Sequence, residues 1–215
     1  MSGSCAYTAT GDYQCSSGGS GGSGPVREPF YADNQAVTMY EHCSYGQPSV
    51  SKPVGRYNMN EMGLGNDKIS AIKVKPGYQV TVYEHSNFGG RSQVFNSDSA
   101  ASCLLSTPGG DWNDRISSYV VENEPVVTMF EHCNFVGRSV SKPVGRYNLN
   151  EMGIDNDMIS SIKVKPGFRV TVYEHSNFSG SNRIFMGDVP CLVSEKINKN
   201  KNWNDLISSF VVARN

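Results

Sequence analysis

Short stretches of β-branched and aromatic residues recur along most of this chain, and turn-forming residues separate them. Residues 80–83 (Val-Thr-Val-Tyr) are one example, with the composition that is typical of a β-strand. Only residues 59–62 and 149–152 are compatible with a single helical turn, and each is followed by a glycine. The pattern therefore predicts an all-β chain.

From Ala36 onward the chain repeats itself with a period of 90 residues, as the spacing from His42 to His132 shows. Because long repeats define domains, we expect two homologous domains at 36–122 and 126–215. Residues 1–35 differ in kind, since they contain a Gly/Ser-rich segment that is typical of a flexible linker.

A weaker repeat lies inside each of these domains, which we call the first and second lobes. An aromatic residue followed by Glu-His closes a predicted strand four times, at 40–42, 83–85, 130–132 and 173–175. Each half-lobe then contains a strand, an aromatic and glycine hairpin, a loop, an Asn-Asp turn and a second strand. Short strands at this spacing predict two β-sandwich domains built from Greek keys.

The Asn-Asp turn also occurs four times, at 66–71, 113–118, 156–161 and 204–209, and we call these segments the Asn-Asp loops. Each has two adjacent Asx residues and a serine three residues after the aspartate, which are hard oxygen donors of the kind that Ca²⁺ prefers. The alternative is that Asn-Asp simply makes a good turn. The repetition favours a metal site, with the candidate ligands Asn66, Asp67, Ser70, Asn113, Asp114, Ser117, Asn156, Asp157, Ser160, Asn204, Asp205 and Ser208.

Composition excludes several classes of partner. The 215 residues include 19 basic and 20 acidic side chains, so the net charge of −1 provides no excess of positive charge for nucleic acid. No apolar run is long enough to cross a membrane. The first residues lack the basic end and the apolar core of a secretory signal, so we expect a cytoplasmic protein.

The six cysteines and four histidines do not indicate an enzyme. Cys5 and Cys15 bracket a short polar segment, where either a disulfide-closed hairpin or an unstructured tail is compatible with the sequence. We expect the other four cysteines to be mostly reduced and packed as small apolar side chains. No catalytic motif is present, and a catalytic site would have to be repeated fourfold, which favours a non-enzymatic protein.

Two recurring signatures resemble those of the βγ-crystallins. The first is a hairpin with an aromatic residue, a second aromatic five residues later and a glycine two residues after that, as in Tyr83, Phe88 and Gly90. It also occurs at 130–137 and 173–180, whereas the first copy has Gln47 in place of the glycine. The second signature is the six-residue Asn-Asp loop. The resemblance also suggests core tryptophans at 112 and 203, and tyrosine corners at 57 and 147.

The resemblance implies a microbial, calcium-binding type of βγ-crystallin, with two loops clamping two ions in each lobe. It pairs the loop at 66–71 with that at 113–118, and the loop at 156–161 with that at 204–209. One hairpin carbonyl completes each site, from Glu41, Glu84, Glu131 or Glu174. The first loop has Ala71 where the family has serine, so we expect a weakened or retained site there.

We expect calcium to stabilise the fold, and candidate roles are self-association into a coat or dense assembly, or buffering of the ion. The alternative is a secreted binding or inhibitory module, resembling protease inhibitors or toxins that use related Greek-key folds. Such a module would act through an exposed loop that differs between the lobes, at 96–111 or 186–201.

Overall fold

The computed structural model describes residues 34–97 and 99–215, and the backbone of two short strands, β1 (Cys5–Tyr7) and β2 (Tyr13–Cys15). The chain divides into two compact units, Met1–Asp33 and Asn34–Asn215. In the first unit, β1 pairs antiparallel with β2. The candidate disulfide between Cys5 and Cys15 and the Gly/Ser-rich segment lie outside the described residues.

In the second unit, residues 34–97 and 99–215 contain sixteen strands. In the first lobe these are β3 (Val37–His42), β4 (Gly46–Lys52), β5 (Gly55–Asn58), β6 (Ala71–Val74), β7 (Tyr78–His85), β8 (Gly89–Asn96) and β9 (Ser118–Asn123). In the second lobe they are β10 (Val127–His132), β11 (Val136–Lys142), β12 (Gly145–Tyr147), β13 (Ser161–Val164), β14 (Phe168–His175), β15 (Ser179–Phe185), β16 (Lys196–Asn198), β17 (Lys201–Asn202) and β18 (Ser209–Arg214).

Helical structure in the described residues is limited to single 3₁₀ turns. They are Cys43–Tyr45, Ser86–Phe88, Cys133–Phe135, Leu149–Glu151, Ser176–Phe178 and Leu192–Ser194. The predicted helical turn at 149–152 is therefore present as a 3₁₀ turn, whereas residues 59–62 form only a turn and a bend.

Each lobe is a sandwich of a three-stranded and a four-stranded antiparallel sheet. The strand orders are β4-β3-β6 and β5-β9-β7-β8 in the first lobe, and β11-β10-β13 and β12-β18-β14-β15 in the second. Strand β5 belongs to the first half-lobe in sequence but pairs with β9 of the second half-lobe. This exchange of strands joins the half-lobes as Greek keys, and it confirms the predicted all-β fold.

Each lobe has its own hydrophobic core. Val80 and Val82 are fully buried whereas Thr81 between them is not, as expected when successive side chains of a strand point to opposite faces. Trp112 and Trp203 are the largest fully buried side chains, one in each core. Both tryptophans are therefore core residues, as the family resemblance predicted.

Tyr57 and Tyr147 fix the corner that follows the first hairpin of each lobe. The hydroxyl of Tyr57 donates to the carbonyl of Pro53 at 3.0 Å, and that of Tyr147 donates to the carbonyl of Pro143 at 2.9 Å. A tyrosine that bonds the backbone four residues upstream is a tyrosine corner. The sequence prediction for both residues is confirmed.

The hairpin glycines have the backbone conformation that the signature requires. Gly90, Gly137 and Gly180 have φ of 76°, 85° and 79°, in the left-handed region that glycine adopts without a steric penalty. A Cβ on Gly90 would lie 2.6 Å from Cδ2 of His85. In the first copy, Gln47 is not among the residues with positive φ, and it is followed by a cis bond to Pro48. The backbone of that hairpin therefore differs at this position.

The prediction of reduced cysteines is wrong for the four that the structure describes. Cys43 forms a disulfide with Cys103, and Cys133 forms one with Cys191. The pairs lie within each lobe, because the hairpin that carries the first cysteine packs on the segment that carries the second. The amide of Ser44, next to Cys43, donates to the carbonyl of Ser102 at 2.6 Å.

The lobes meet around the linker and the Pro-Gly turns. The amide of Glu124 donates to the carbonyl of Gly77 at 2.9 Å, and its carboxylate forms an ion pair with Lys165 at 2.9 Å. The guanidinium of Arg214 lies 5.3 Å from the ring of Tyr78 in the other lobe. No described helix is long and apolar enough to cross a membrane.

The disulfide of the second lobe closes a long loop, with a sequence separation of 58 residues. A cross-link of this length restricts the unfolded chain, so Cys133→Ser/Cys191→Ser is expected to lower the free energy of unfolding by about 2–4 kcal/mol. Denaturant unfolding of the full chain measures this change. An unchanged midpoint would contradict the stabilising role.

Because each lobe has its own core, we expect residues 126–215 to fold alone. The isolated segment should show β-sheet circular dichroism and one cooperative unfolding transition. An expressed segment that stays unfolded would show that the contacts with the first lobe supply most of its stability.

Candidate metal centre

In each lobe the two Asn-Asp loops lie side by side and are joined by backbone hydrogen bonds. In the first lobe the amide of Asp114 donates to the carbonyl of Ile69 at 3.2 Å, and the amide of Asp67 donates to the carbonyl of Ile116 at 3.3 Å. In the second lobe, the amide of Asp205 donates to the carbonyl of Ile159 at 3.1 Å. The fold thus brings the candidate residues of two half-lobes together.

The four loop aspartates share an uncommon backbone conformation. Asp67, Asp114, Asp157 and Asp205 have φ of 52°, 51°, 55° and 50°. Asn and Asp adopt this left-handed region more readily than other residues with side chains. Non-glycine residues in this region cluster at functional sites, where the surrounding structure maintains them.

The carboxylate of each loop contacts the serine of the other loop. In the first lobe, the hydroxyl of Ser117 lies 3.1 Å from Oδ1 of Asp67, and the hydroxyl of Ser70 lies 3.1 Å from Oδ1 of Asp114. Neither serine contacts the aspartate of its own loop in this way. Each cluster of oxygens is therefore shared between the two half-lobes.

A hairpin carbonyl adds a third oxygen to the cluster at Ser117. Oγ of Ser117 lies 3.0 Å from the carbonyl oxygen of Glu84 as well as 3.1 Å from Oδ1 of Asp67. A hydroxyl has one hydrogen to donate, so it cannot satisfy both acceptors fully. The three oxygens thus present more lone pairs than hydrogens, which is the electrostatic requirement of a cation site.

The second lobe has the same arrangement. Oγ of Ser208 lies 3.0 Å from the carbonyl oxygen of Glu174 and 3.4 Å from Oδ1 of Asp157. Oγ of Ser160 lies 3.1 Å from Oδ1 of Asp205. The described residues therefore contain four crossed Asp–Ser pairs, two in each lobe.

Glu41 and Glu131 occupy the matching place in the first hairpin of each lobe. The amide of Ser70 donates to the carbonyl of Tyr40 at 2.9 Å, and the amide of Ser160 donates to the carbonyl of Phe130 at 2.9 Å. The second hairpin of each lobe has the equivalent bonds, from the amide of Ser117 to the carbonyl of Tyr83 at 3.0 Å and from that of Ser208 to that of Tyr173 at 3.1 Å.

The carboxylates of the four hairpin glutamates have other partners. Glu41 pairs with Lys68 at 3.4 Å and Glu84 lies 3.8 Å from Arg91, while the amide of Arg138 donates to Glu131 at 3.3 Å. Lys201 binds the carboxylate of Glu174 and lowers its pKa to about 2, with a further hydrogen bond from Ser181. Glu84 and Glu174 contact the oxygen clusters through their backbone carbonyls.

The loop asparagines hold the second oxygen of the neighbouring carboxylate. Nδ2 of Asn66 donates to Oδ2 of Asp67 at 2.6 Å, and the other three loops have the same bond at 2.7 Å. This bond leaves Oδ1 of each aspartate for the crossed contact. Oδ1 of Asn204 is buried and has no hydrogen-bond partner. An unsatisfied buried oxygen in the fourth loop is compatible with a cation ligand.

The serine that ends three of the four loops supports the hairpin. The hydroxyl of Ser118 donates to the carbonyl of His85 at 2.7 Å and accepts from the amide of Phe88 at 3.1 Å. Ser161 and Ser209 make the same two bonds in their hairpins. Ala71 cannot make them, so the hairpin that carries Glu41 lacks this support. The alanine at position 71 is visible in the sequence, whereas the hydrogen bonds that it removes are visible only in the fold.

The clusters combine few carboxylates with hydroxyl and carbonyl oxygens. A cleft of about 250 Å³ is lined by Asp67, Glu84, His85, Asp114 and Arg115. Across residues 34–97 and 99–215, no group of three or more His, Cys, Asp or Glu side chains is arranged to hold a metal. Ca²⁺ accepts hydroxyl, carbonyl and water oxygens, so this donor set fits Ca²⁺ better than zinc.

The disulfide of the first lobe lies against both loops. Sγ of Cys43 is 3.9 Å from the carbonyl oxygen of Ser70 and 3.9 Å from Oδ1 of Asn113. A disulfide sulfur carries no hydrogen, so these are packing contacts and not hydrogen bonds. All four cysteines in residues 34–97 and 99–215 are oxidised, so none of them is a free nucleophile.

A model of peptidase inhibitor family I36 matches residues 79–142. No protein of curated function matches the chain. Among solved structures, a βγ-crystallin domain from Flavobacterium johnsoniae is 34% identical, covers 42% of this chain and 96% of its own, and has a TM-score of 0.37. A βγ-crystallin domain from Clostridium beijerinckii is 33% identical, with coverages of 40% and 95% and a TM-score of 0.35.

The N-terminal domain of protein S is also similar, at 28% identity, with coverages of 41% and 96% and a TM-score of 0.37. These relatives are single domains that match almost in full. Their identity of up to 34% agrees with the hairpin glycines, the tyrosine corners and the paired Asn-Asp loops described above. This chain belongs to the βγ-crystallin family.

Proposed function

We propose that this protein is a non-enzymatic calcium-binding protein with two sites in each lobe. The observation that carries the proposal is the crossed cluster of Asp67, Ser117 and Glu84, in which three oxygens share one hydrogen. The same chemistry recurs at Asp157, Ser208 and Glu174. A cation would replace the missing hydrogens and relieve the repulsion between the oxygens.

The donor set implies modest affinity. Each cluster supplies one carboxylate, one hydroxyl and one hairpin carbonyl, whereas Ca²⁺ takes six to eight oxygens. Further backbone carbonyls and water would complete the shell. With so little formal charge, we expect dissociation constants on the order of 10⁻⁵ to 10⁻³ M.

Calcium at these clusters would act as a structural cross-link. The aspartate and the serine of one cluster belong to different half-lobes, so an ion between them ties the two Greek keys together. The two disulfides form the same kind of link and are typical of oxidising compartments. We therefore infer a stabilising role in an oxidising environment, which replaces the expectation of a cytoplasmic protein.

The match to peptidase inhibitor family I36 favours a second candidate function, protease inhibition. Among the residues that the structure describes, the two most exposed large apolar side chains, Met186 and Leu105, lie in the two loops that differ between the lobes. Leu105 also lies inside the matched segment and follows the disulfide at Cys103. Inhibition of a protease by the native chain, and its loss in Leu105→Asp, would support this function independently of calcium.

Calcium is expected to raise the melting temperature of the metal-free protein, because it would bind only the folded state. At about a hundred times the dissociation constant, each site adds roughly 2.7 kcal/mol to the free energy of unfolding. Thermal melting with calcium and with chelator measures the shift. Identical curves at millimolar calcium would contradict calcium binding and leave the fold assignment intact.

Asp157→Ala is expected to weaken both sites of the second lobe and spare those of the first. Its carboxylate contacts Ser208 of the other loop, while its own loop carries Ser160 of the second cluster. Calorimetric titration of this variant with calcium should then show reduced affinity at two of the four sites.

Asp155→Ala is the matched control, since Asp155 is next to the same loop but its carboxylate binds Arg138 at 2.6 Å. We expect this control to retain four sites. Loss of a single site in Asp157→Ala would show that the loops bind calcium independently.

A further inference from the structure

The two lobes differ in charge at one position of the Asn-Asp loops. The third residue is Lys68 or Arg115 in the first lobe, and Met158 or Leu206 in the second. In the six-residue loops, the two basic side chains offset the two aspartates of the first lobe, giving no net charge. The loops of the second lobe retain the −2 of their aspartates.

Both basic side chains lie at the oxygen clusters. Arg115 lines the same cleft as Asp67, Glu84 and Asp114, and its Nε lies 3.3 Å from Asp111. Arg115 is exposed, so its guanidinium takes no part in the packing of the hydrophobic core. Its charge therefore acts directly on any cation in the cleft.

Lys68 is at the other cluster of the same lobe. Its Nζ lies 3.4 Å from Oε1 of Glu41, which follows Tyr40, the residue whose carbonyl accepts from the amide of Ser70. The side chain of Lys68 is 55% exposed, so the ion pair is a weak restraint and adds little stability. The charge of Lys68 nevertheless stays close to this cluster.

The second lobe has half-buried apolar side chains at these positions. It also has Asp155 before its first loop, where the first lobe has Gly65. Lys201 pairs with Glu174 in the second lobe, but Arg91 lies beside Glu84 in the first, so these charges are similar in the two lobes. Arg138 pairs with the additional Asp155. Asp111, which pairs with Arg115, has the neutral Asn202 as its counterpart in the second lobe, since each accepts from the amide of a loop asparagine at 2.9 Å. Lys68 and Arg115 therefore have no basic counterparts in the second lobe, but Asp111 offsets one of them, and the first lobe has a net excess of one positive charge.

We propose that Lys68 and Arg115 set the calcium affinity of the first lobe below that of the second, so that the lobes fill in order. This inference depends on the calcium binding proposed above. A unit positive charge about 10 Å from a divalent cation weakens its binding roughly fourfold in a water-like dielectric. Because Asp111 offsets one of the two charges, the net excess of one charge would separate the affinities of the lobes roughly fourfold.

Nuclear magnetic resonance of the full ¹⁵N-labelled chain tests this order. The indole N–H groups of Trp112 and Trp203 report one lobe each, since they are the only tryptophans in the chain. The amides of Asp114 and Asp205 report the loops directly. In a calcium titration, the signals of the second lobe should shift at about one quarter of the calcium concentration that the first lobe needs.

Exchange of the charged residues provides the matched variants. Lys68→Met/Arg115→Leu gives the first lobe the third loop residues of the second, and should move the midpoint of the first lobe to lower calcium. Met158→Lys/Leu206→Arg should move the midpoint of the second lobe to higher calcium. Lys68→Arg/Arg115→Lys keeps the charge and should leave both midpoints unchanged.

Ionic strength distinguishes an electrostatic effect from a structural one. Screening shortens the range of the charges, so the gap between the lobes should narrow between about 0.02 M and about 0.5 M NaCl. A gap that is independent of salt would contradict the role of Lys68 and Arg115.

The outcomes separate this inference from the proposed function. Signals that shift in both lobes with equal midpoints, or first in the first lobe, would overturn the order of filling while retaining calcium binding. A gap that persists in Lys68→Met/Arg115→Leu would overturn the assignment to these residues. If no signal shifts at millimolar calcium and the melting temperature also stays constant, calcium binding itself is wrong.

Discussion

The contact between the carboxylate of one Asn-Asp loop and the serine hydroxyl of its neighbour is the interaction on which the site depends. Asp67 with Ser117 and Asp114 with Ser70 cross between the half-lobes of the first lobe. Each hydroxyl can neutralise one acceptor only, so the cluster stays electron-rich. A site of this kind exists only when both Greek keys are folded and paired.

The rest of each lobe keeps these loops in register. In the second hairpin of the first lobe, the amide of Ser117 donates to the carbonyl of Tyr83, which sets the next carbonyl, that of Glu84, beside the cluster. Ser118 supports the same hairpin through hydrogen bonds with the backbone of His85 and Phe88. The disulfides hold the first hairpin of each lobe against the segment that leads to the second loop. Because these restraints are made by protein atoms alone, little chain ordering would be required on calcium binding.

Local patterns predicted much of this structure. The hairpin glycines such as Gly90, the corner at Tyr57 and the buried Trp112 each depend on a single residue in a defined local backbone, so the sequence indicates them directly. The residues of the loops were also found, because the motif is repeated four times.

Contacts across the fold were harder to predict. Cys43 and Cys103 are separated by 60 residues, and only the packing of the hairpin on a distant segment brings them together. The second lobe has a cysteine pair with a similar separation of 58 residues, and this repeated spacing is the feature of the sequence that indicates a disulfide in each lobe. Likewise, the role of the last loop serine, which Ala71 lacks, depends on a hairpin some 30 residues away in the chain, as for Ser118 and His85.

The most direct measurement is a crystal structure of the protein grown with calcium, using anomalous scattering to locate the ions. The proposed arrangement requires four ions, each within about 2.3–2.6 Å of a serine hydroxyl from one loop and an aspartate oxygen from the neighbouring loop. Ions that are held by oxygens of a single loop, or an absence of anomalous density at the crossed pairs, would contradict it.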